Sequence, residues 1–147
     1  MSWVSILMGS ESDWPVMQSC KEVFDDLEIS CEVRITSAHR TPQETKDYVV
    51  DAQSRGCKIF ICAAGMAAHL AGAVAAQTTC PVIGVPISSG ALQGVDALLS
   101  TVQMPGGIPV ATVAIGKAGA KNAAYLAGQI LAVSDEVLFQ RVLADRE

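Results

Sequence analysis

Five times along this chain a short apolar run ends in a loop of small or hydroxyl residues and then gives way to a helical pattern. The runs are Trp3–Met8, Cys31–Thr36, Lys58–Ala64, Pro81–Pro86 and Val110–Ile115. Strand after helix after strand, joined by short loops, allows few solutions. Parallel strands need a crossover, and a helix is the usual crossover. Lys58–Ala64 reads as a continuous apolar strand, as expected at the centre of a parallel sheet covered on both faces. Cys31–Thr36 alternates instead. Cys31, Val33 and Ile35 fall on one side and Glu32, Arg34 and Thr36 on the other, the pattern of an edge strand with a wetter face.

The intervening segments carry helix signals. From Asp13 onward Met17, Cys20, Phe24 and Leu27 share one face, with Pro15 in the first turn, where its missing N–H costs nothing. Thr41-Pro42-Gln43-Glu44 has the form of a capping box, and the helix it opens runs to about Arg55 and ends at Gly56. Further helices are expected over Ala67–Gln77, Leu92–Gln103 and Ala118–Val133, with a last one starting at Ser134-Asp135. The pattern predicts an α/β fold, a flavodoxin-like three-layer αβα sandwich with a five-stranded parallel sheet of order 2-1-3-4-5. No linker or repeat interrupts residues 1–147, which are read as one domain. The last helix, an extra C-terminal one, carries Leu138, Phe139, Val142 and Leu143 and is expected to pack on a neighbouring subunit.

Composition bounds the function. Half of the 147 residues are apolar and only 17% are charged, enough for a real core. A net charge of −5 and a pI near 4.9 argue against nucleic acid and against an anionic membrane, both of which call for a basic surface. They do not exclude a small phosphorylated molecule, which backbone amides and one or two local cations can hold. The five cysteines, Cys20, Cys31, Cys57, Cys62 and Cys80, are odd in number and show no CxxC spacing. They read as small buried hydrophobes in a reducing cytoplasm, and with the two histidines they form no ligand cluster. The opening MSWVSILMGS has neither a basic n-region nor a long apolar stretch, and no run reaches membrane-spanning length.

In such sheets ligands bind outside the carboxyl ends of the strands. After the first strand, Gly9-Ser10-Glu11-Ser12-Asp13 offers a close backbone approach, hydroxyl donors and a helix N-terminus, which suits a phosphate. Asp13 suits sugar hydroxyls, which donate to a carboxylate. Capping by Ser12 or Asp13 is the alternative. After the second strand, Arg40 can pair with phosphate through both guanidinium arms, and His39 is of the side-chain type best suited to proton transfer near neutrality. After the third, Ala64-Gly65-Met66-Ala67-Ala68-His69-Leu70 leaves room for a ligand against the backbone, and its amides suit a carboxylate. The Ser88-Ser89-Gly90 loop serves either binding or a turn. Together these loops point to an enzyme acting on a small phosphorylated metabolite.

Six motifs occur in one order: Gly-Ser-x-Ser-Asp-Trp, Ser-Ala-His-Arg-Thr-Pro, Ala-Gly-x-Ala-Ala-His-Leu, Gly-Val-Asp-x-Leu, Gln-Met-Pro-x-Gly-Ile-Pro-Val and Ala-Ile-Gly-Lys-Ala-Gly-Ala-x-Asn-Ala-Ala. Through them the chain, from about Val4 to Arg141, resembles the PurE family of N5-carboxyaminoimidazole ribonucleotide mutases of purine biosynthesis, in its bacterial form. The resemblance implies a nucleotide substrate whose carboxylate moves from N5 to ring carbon C4 by release and recapture of CO2. It implies that His39 is the acid/base, that Ser10 and Arg40 bind the phosphate with Ser12 beside them, and that Asp13 takes the ribose hydroxyls. It further implies that Ser37 and Ala38 line the base. Ala64, Gly65 and the segment Met66, Ala67, His69 and Leu70 would hold the migrating carboxyl group. No metal or organic cofactor is implied; an octamer is. Met66 stands where many relatives have Gly, and Ala71 where many have Pro; both flank the implied CO2 pocket. A divergent branch that carboxylates aminoimidazole ribonucleotide directly with CO2 lacks the Ala-Ala-His-Leu pattern, so the mutase is the expectation and that carboxylase the alternative. A flavin-binding electron carrier on the same fold is a remoter one, set against aromatic content of only 5%.

Overall fold

The computed structural model describes residues 2–147. Its first strand, β1 (Trp3–Met8), lies beside β2 (Cys31–Ile35) on one side and β3 (Cys57–Gly65) on the other, and β4 (Val82–Ile87) and β5 (Ala111–Thr112) follow. The order is β2-β1-β3-β4-β5 and every pairing is parallel. The expected flavodoxin-like arrangement is therefore present. The registers Met8↔Ile35 and Met8↔Ala63 bring the carboxyl ends of the first three strands to one level.

Residue alternation decides which helices cover which face. Val4, Ile6 and Met8 of β1 and Ile59, Ile61 and Ala63 of β3 face α1 (Trp14–Asp26) and α5 (Lys117–Ala132). Leu7, Phe60 and Cys62 face the other way, toward α2 (Pro42–Ser54) and α3 (Leu70–Ala75). The buried small residues Ala120, Ala123, Ala124 and Ala127 allow α5 to sit close against α1. Gly119 is required there, because a Cβ would run into the Ala114 carbonyl. Helix α4 (Val95–Val102) backs onto β4, and α6 (Glu136–Arg146) packs through Leu138 and Val142 on the α1–α5 layer. The extra helix thus does have a place on this chain's own core, although Val137, Phe139 and Leu143 remain exposed. All five cysteines are free thiols. Burial raises the Cys20 and Cys62 thiols well above the usual range and pushes Cys57 up to about 11, so these three behave as apolar core groups.

Four expectations need correction. The helix expected over Ala67–Gln77 is only Leu70–Ala75, because Met66 has a positive φ of 52° and the next residues form a turn. The helix expected from Leu92 starts at Val95, because Gln93 and Gly94 both have positive φ, 54° and 93°. The capping box at Thr41 does not form: its hydroxyl bonds the N–H and C=O of Ser37 instead. Finally, β5 is two residues long rather than Val110–Ile115. Pro86 explains this. Its carbonyl accepts from Gly116 N–H on that edge, but it has no N–H to give back, so a regular ladder cannot continue.

One polar group lies in the core of β1. Ser5 is fully buried and its Oγ meets Tyr48 Oη at 2.8 Å, while Tyr48 donates to Glu32 Oε1 at 3.0 Å. Arg55 closes the cluster on Glu32 with two bonds of 3.1 and 3.2 Å, and chiefly for that reason the Glu32 carboxyl is held below its ordinary value. The cluster ties edge strand β2 to α2 and β1. Tyr48→Phe removes both bonds and leaves a buried hydroxyl without a partner. Urea unfolding of that variant is expected to show a loss of about 1–3 kcal/mol; an unchanged midpoint would mean that the cluster does not hold the edge.

Candidate active site

The strand order reverses between β1 and β3, so the loops that leave their carboxyl ends diverge and open a crevice. Small residues let the loops meet. Gly9 lies beside Ala64, 3.6 Å from the position a glycine Cβ would occupy to the alanine Cβ. A Cβ on Gly65 would run into the Ser89 hydroxyl and crowd the Ile87 carbonyl, so a larger residue there would displace Ser89.

The loop after β2 is built around Ser37. Its Oγ accepts from Arg40 N–H at 3.1 Å, and its N–H donates to Thr41 Oγ1 at 3.0 Å. The turn projects His39 and Arg40 into solvent at the crevice. His39 Nε2 lies 2.8 Å from His69 Nδ1, with the rings edge to face at 4.9 Å between centroids. One of these nitrogens donates and the other accepts. This contact joins the loop after β2 to the loop after β3, across β1. Arg40 makes no ion pair among the described residues, so its guanidinium is available to an anion.

The loop after β1 begins with Ser10, whose Oγ accepts from Ser12 N–H at 3.2 Å and meets Ser12 Oγ at 2.9 Å. Ser10, not Ser12 or Asp13, is therefore the cap of the single 3-10 turn Glu11–Asp13 that leads into α1. Asp13 is only 7% exposed, and burial raises its carboxyl above the ordinary value, with a backbone bond at Ser10 opposing the shift. Ala64 and Gly65 are half-buried at the strand end, Met66, Ala67 and His69 are exposed, and Leu70 is buried in the second core. Leu70 can offer a ligand only its backbone. Ala38, half-buried, packs against the same core.

A family model described as AIR carboxylase matches residues 3–147. The chain belongs to the AIR carboxylase family. Two of its relatives are named N5-carboxyaminoimidazole ribonucleotide mutase. The one from Bacillus subtilis (strain 168) is 54% identical over 144 residues, which is 98% of this chain and 89% of the relative. The one from Escherichia coli (strain K12) is 54% identical over 139 residues, 95% of this chain and 82% of the relative. Among solved structures, Treponema denticola PurE superposes with a TM-score of 0.90 at 29% identity, covering 99% of this chain and 90% of that one.

From the sequence the histidines and Arg40 stand out. Two residues of this crevice do not. Ser89, in a loop whose sequence fits binding and a turn equally, sets its hydroxyl where a side chain on Gly65 would be. Ser100, inside α4, accepts from Ala68 N–H at 2.9 Å and fixes the loop after β3; nothing in the sequence distinguishes it from an ordinary helical serine. A concavity of about 830 Å3 lies at the other end of the sheet, among Gln53, Gln77, Cys80, Val82 and Ile108. No charged side chain lines it. The crevice instead brings together a histidine pair, a buried carboxylate and an arginine that makes no ion pair among the described residues.

Asp13 links the site to stability. Because its carboxyl is raised, ionising it opposes folding; that penalty is absent below the ordinary value of 3.8 and complete above the raised one. Asp13→Asn is expected to melt higher than the unsubstituted chain at neutral pH, with the difference closing as the pH falls below 3.8. The same change is expected to weaken binding of a ribonucleotide by about 10- to 100-fold, the loss of charged hydrogen bonds to hydroxyls. Calorimetry across pH and titration of ligand test the two halves separately.

Proposed function

We propose that this chain is an N5-carboxyaminoimidazole ribonucleotide mutase, an isomerase of purine biosynthesis acting in the cytoplasm. The contact between His39 and His69 at the crevice carries the reading, since it places a group able to give and take a proton beside Arg40, which makes no ion pair among the described residues, and beside the small-residue loop after β3. In this reading Arg40 and Ser10 hold the 5′-phosphate, Ser12 supports Ser10, and Asp13 accepts from the ribose hydroxyls. Ser37 and Ala38 flank the base. Ala64, Gly65 and the Met66–Leu70 segment enclose the carboxyl group.

The reaction needs little else. Protonating the carbamate nitrogen breaks its bond to the carboxyl carbon and releases CO2. The remaining amine donates electron density into the ring, so C4 attacks the same CO2 and forms the new carbon–carbon bond. C4 then carries both hydrogen and carboxylate, and a base removes that proton to restore the aromatic ring. His39 gives the first proton and takes the second, which leaves the enzyme as it began. A ring nitrogen has one hydrogen-bonding site in its plane. His39 Nε2 is therefore committed to His69 in the free chain and serves the substrate when the two rings part. His69 holds the base in place beforehand and is not needed for the proton transfers themselves.

An octamer accompanies this reading. Val95, Leu99 and Val102 follow helical spacing along the outer face of α4, exposed by 51, 58 and 45%, and Leu92, in the turn just before it, is 61% exposed. Such a stripe is costly in water and suited to a subunit contact. Equilibrium sedimentation is expected to give a mass near eight times 15.4 kDa; a monomer would remove the assembly from the proposal.

With N5-carboxyaminoimidazole ribonucleotide at low bicarbonate, the chain is expected to form the C4-carboxylated product. His39→Asn is expected to lower kcat by roughly 100- to 10,000-fold, the usual worth of acid/base catalysis, and His69→Asn by less than about 10-fold. A product formed only from aminoimidazole ribonucleotide and CO2 would assign the direct carboxylase reaction instead, and no product from either would overturn the proposal.

A further inference from the structure

None of the five cysteines takes part in the proposed reaction, yet two of them meet. Cys80 lies in the irregular segment 78–81 between α3 and β4. It is half-buried and lines the concavity at the amino end of the sheet, so small solutes reach that residue. Cys57 opens β3 and is 2% exposed. Both pack into the core that Leu7 and Phe60 share with α2 and α3, so their side chains leave the sheet on one face. Cys80 Sγ is 3.8 Å from the Cys57 carbonyl oxygen, an atom of that residue's own peptide unit. The main chain holds the two positions together. Phe60 N–H donates to Pro81 C=O at 3.0 Å, and Thr78 Oγ1 accepts from Cys80 N–H at 3.0 Å while donating to Gln53 Oε1 at 2.9 Å. The register Phe60↔Val82, continued back along both chains, sets Cys80 beside Lys58, the residue after Cys57. Strands about 4.8 Å apart with an offset of about 3.3 Å place the two Cα atoms roughly 6 Å from each other, within the span of a disulfide.

We propose that Cys80 is an oxidation site and that Cys57 resolves it, the pair forming a reversible disulfide when hydrogen peroxide is present. Neither residue belongs to the crevice, so the bond forms whatever reaction the chain catalyses. The Cys80 sulfur, as thiolate, attacks one peroxide oxygen. The O–O bond breaks, hydroxide leaves with the proton that Cys80 gave up, and Cys80 becomes a sulfenic acid. Cys57 Sγ, which donates to the Ile59 carbonyl at 3.3 Å, turns about its Cα–Cβ bond and attacks the Cys80 sulfur. The S–O bond breaks, and the departing hydroxide takes the Cys57 proton. Two thiols and one peroxide thus give one disulfide and two waters. Burial pushes the Cys57 thiol up to about 11, so it stays protonated and inert until an oxidised sulfur is set beside it. The bond ties the start of β3 to the approach of β4 and closes the stretch 57–80, which holds β3, the loop after it and α3. A closed loop has less freedom when unfolded, so the linked chain is the more stable. In a reducing cytoplasm such a bond is transient and returns to thiols.

The chain is treated with hydrogen peroxide, its remaining thiols are alkylated, and it is cleaved with trypsin without reduction. Cleavage after Arg55, Lys58 and Lys117 isolates Cys57 on the piece 56–58 and leaves Cys62 and Cys80 together on the piece 59–117. The two pieces are expected as one linked species by mass spectrometry, from a chain that still runs as a single chain on a non-reducing gel. Dithiothreitol is expected to separate them. The linked chain is expected to melt about 5–10 °C above the reduced one. Cys80→Ser is expected to lose both the link and that rise. A link that persists in Cys80→Ser would assign Cys62 as the partner and overturn the proposal. So would thiols that all stay free, a Cys80 that goes on to sulfinic acid beside a free Cys57, a bond between two chains, or a linked chain that melts no higher.

Discussion

Pairing of β1 with β3 is the constraint on which the rest depends. Five consecutive registers, from Val4↔Ile59 to Met8↔Ala63, align two strands whose side chains are buried on both faces. Alternate residues feed two cores, and each core then dictates which helix face must cover it. The chain leaves β1 toward β2 and leaves β3 toward β4, so the loops at this pair part company. The pairing at the centre of the sheet's buried strands thus also sets the switch point at which α/β sheets open a crevice. A site here inherits rigid walls, and its loops need only carry the chemistry.

Polar groups separate into two sets around that frame. Ser5, Tyr48, Glu32 and Arg55 satisfy one another, and among the described residues no buried side-chain nitrogen or oxygen lacks a partner. Their bonds stabilise the edge strand and point nowhere. At the crevice the pattern is reversed. Among the described residues Arg40 has no counter-ion, Asp13 is buried at the expense of its charge, and Met66 holds an unfavourable backbone angle. Buried charge and an unfavourable backbone angle on neighbouring loops are what a site that trades stability for function would show.

Much of this was legible in the sequence because its signals were local. Continuous apolar runs gave the central strands, the alternating run gave the edge, and loops at strand ends gave the candidate residues. What escaped depended on partners distant in the chain. No local signal says that Pro86 leaves β5 without a donor, that Thr41 turns back to Ser37 instead of capping α2, or that Ser100 fixes a loop more than thirty residues before it. The shortening of α3 is intermediate. An alanine-rich stretch favours helix from Ala67 onward, yet the positive φ at Met66 and the Ser100 bond to Ala68 delay its start to Leu70. Propensity was overruled by tertiary contact.

That delay matters to the chemistry. Had α3 begun at Ala67, His69 would sit inside a helical turn, its direction set by the helix axis. Because the segment is a turn, His69 is the residue just before the helix and reaches His39 at 2.8 Å. Two loops separated by thirty residues then meet through one hydrogen bond on an exposed surface. A bond of that kind is weak in water, where each nitrogen can find a solvent partner instead. It orients the His39 ring in the free chain but is easily given up to a ligand. A base held by a buried carboxylate would be fixed more firmly and released less readily. The exposed histidine pair therefore suits the role proposed for His39, a base that is first positioned and then turns to a substrate.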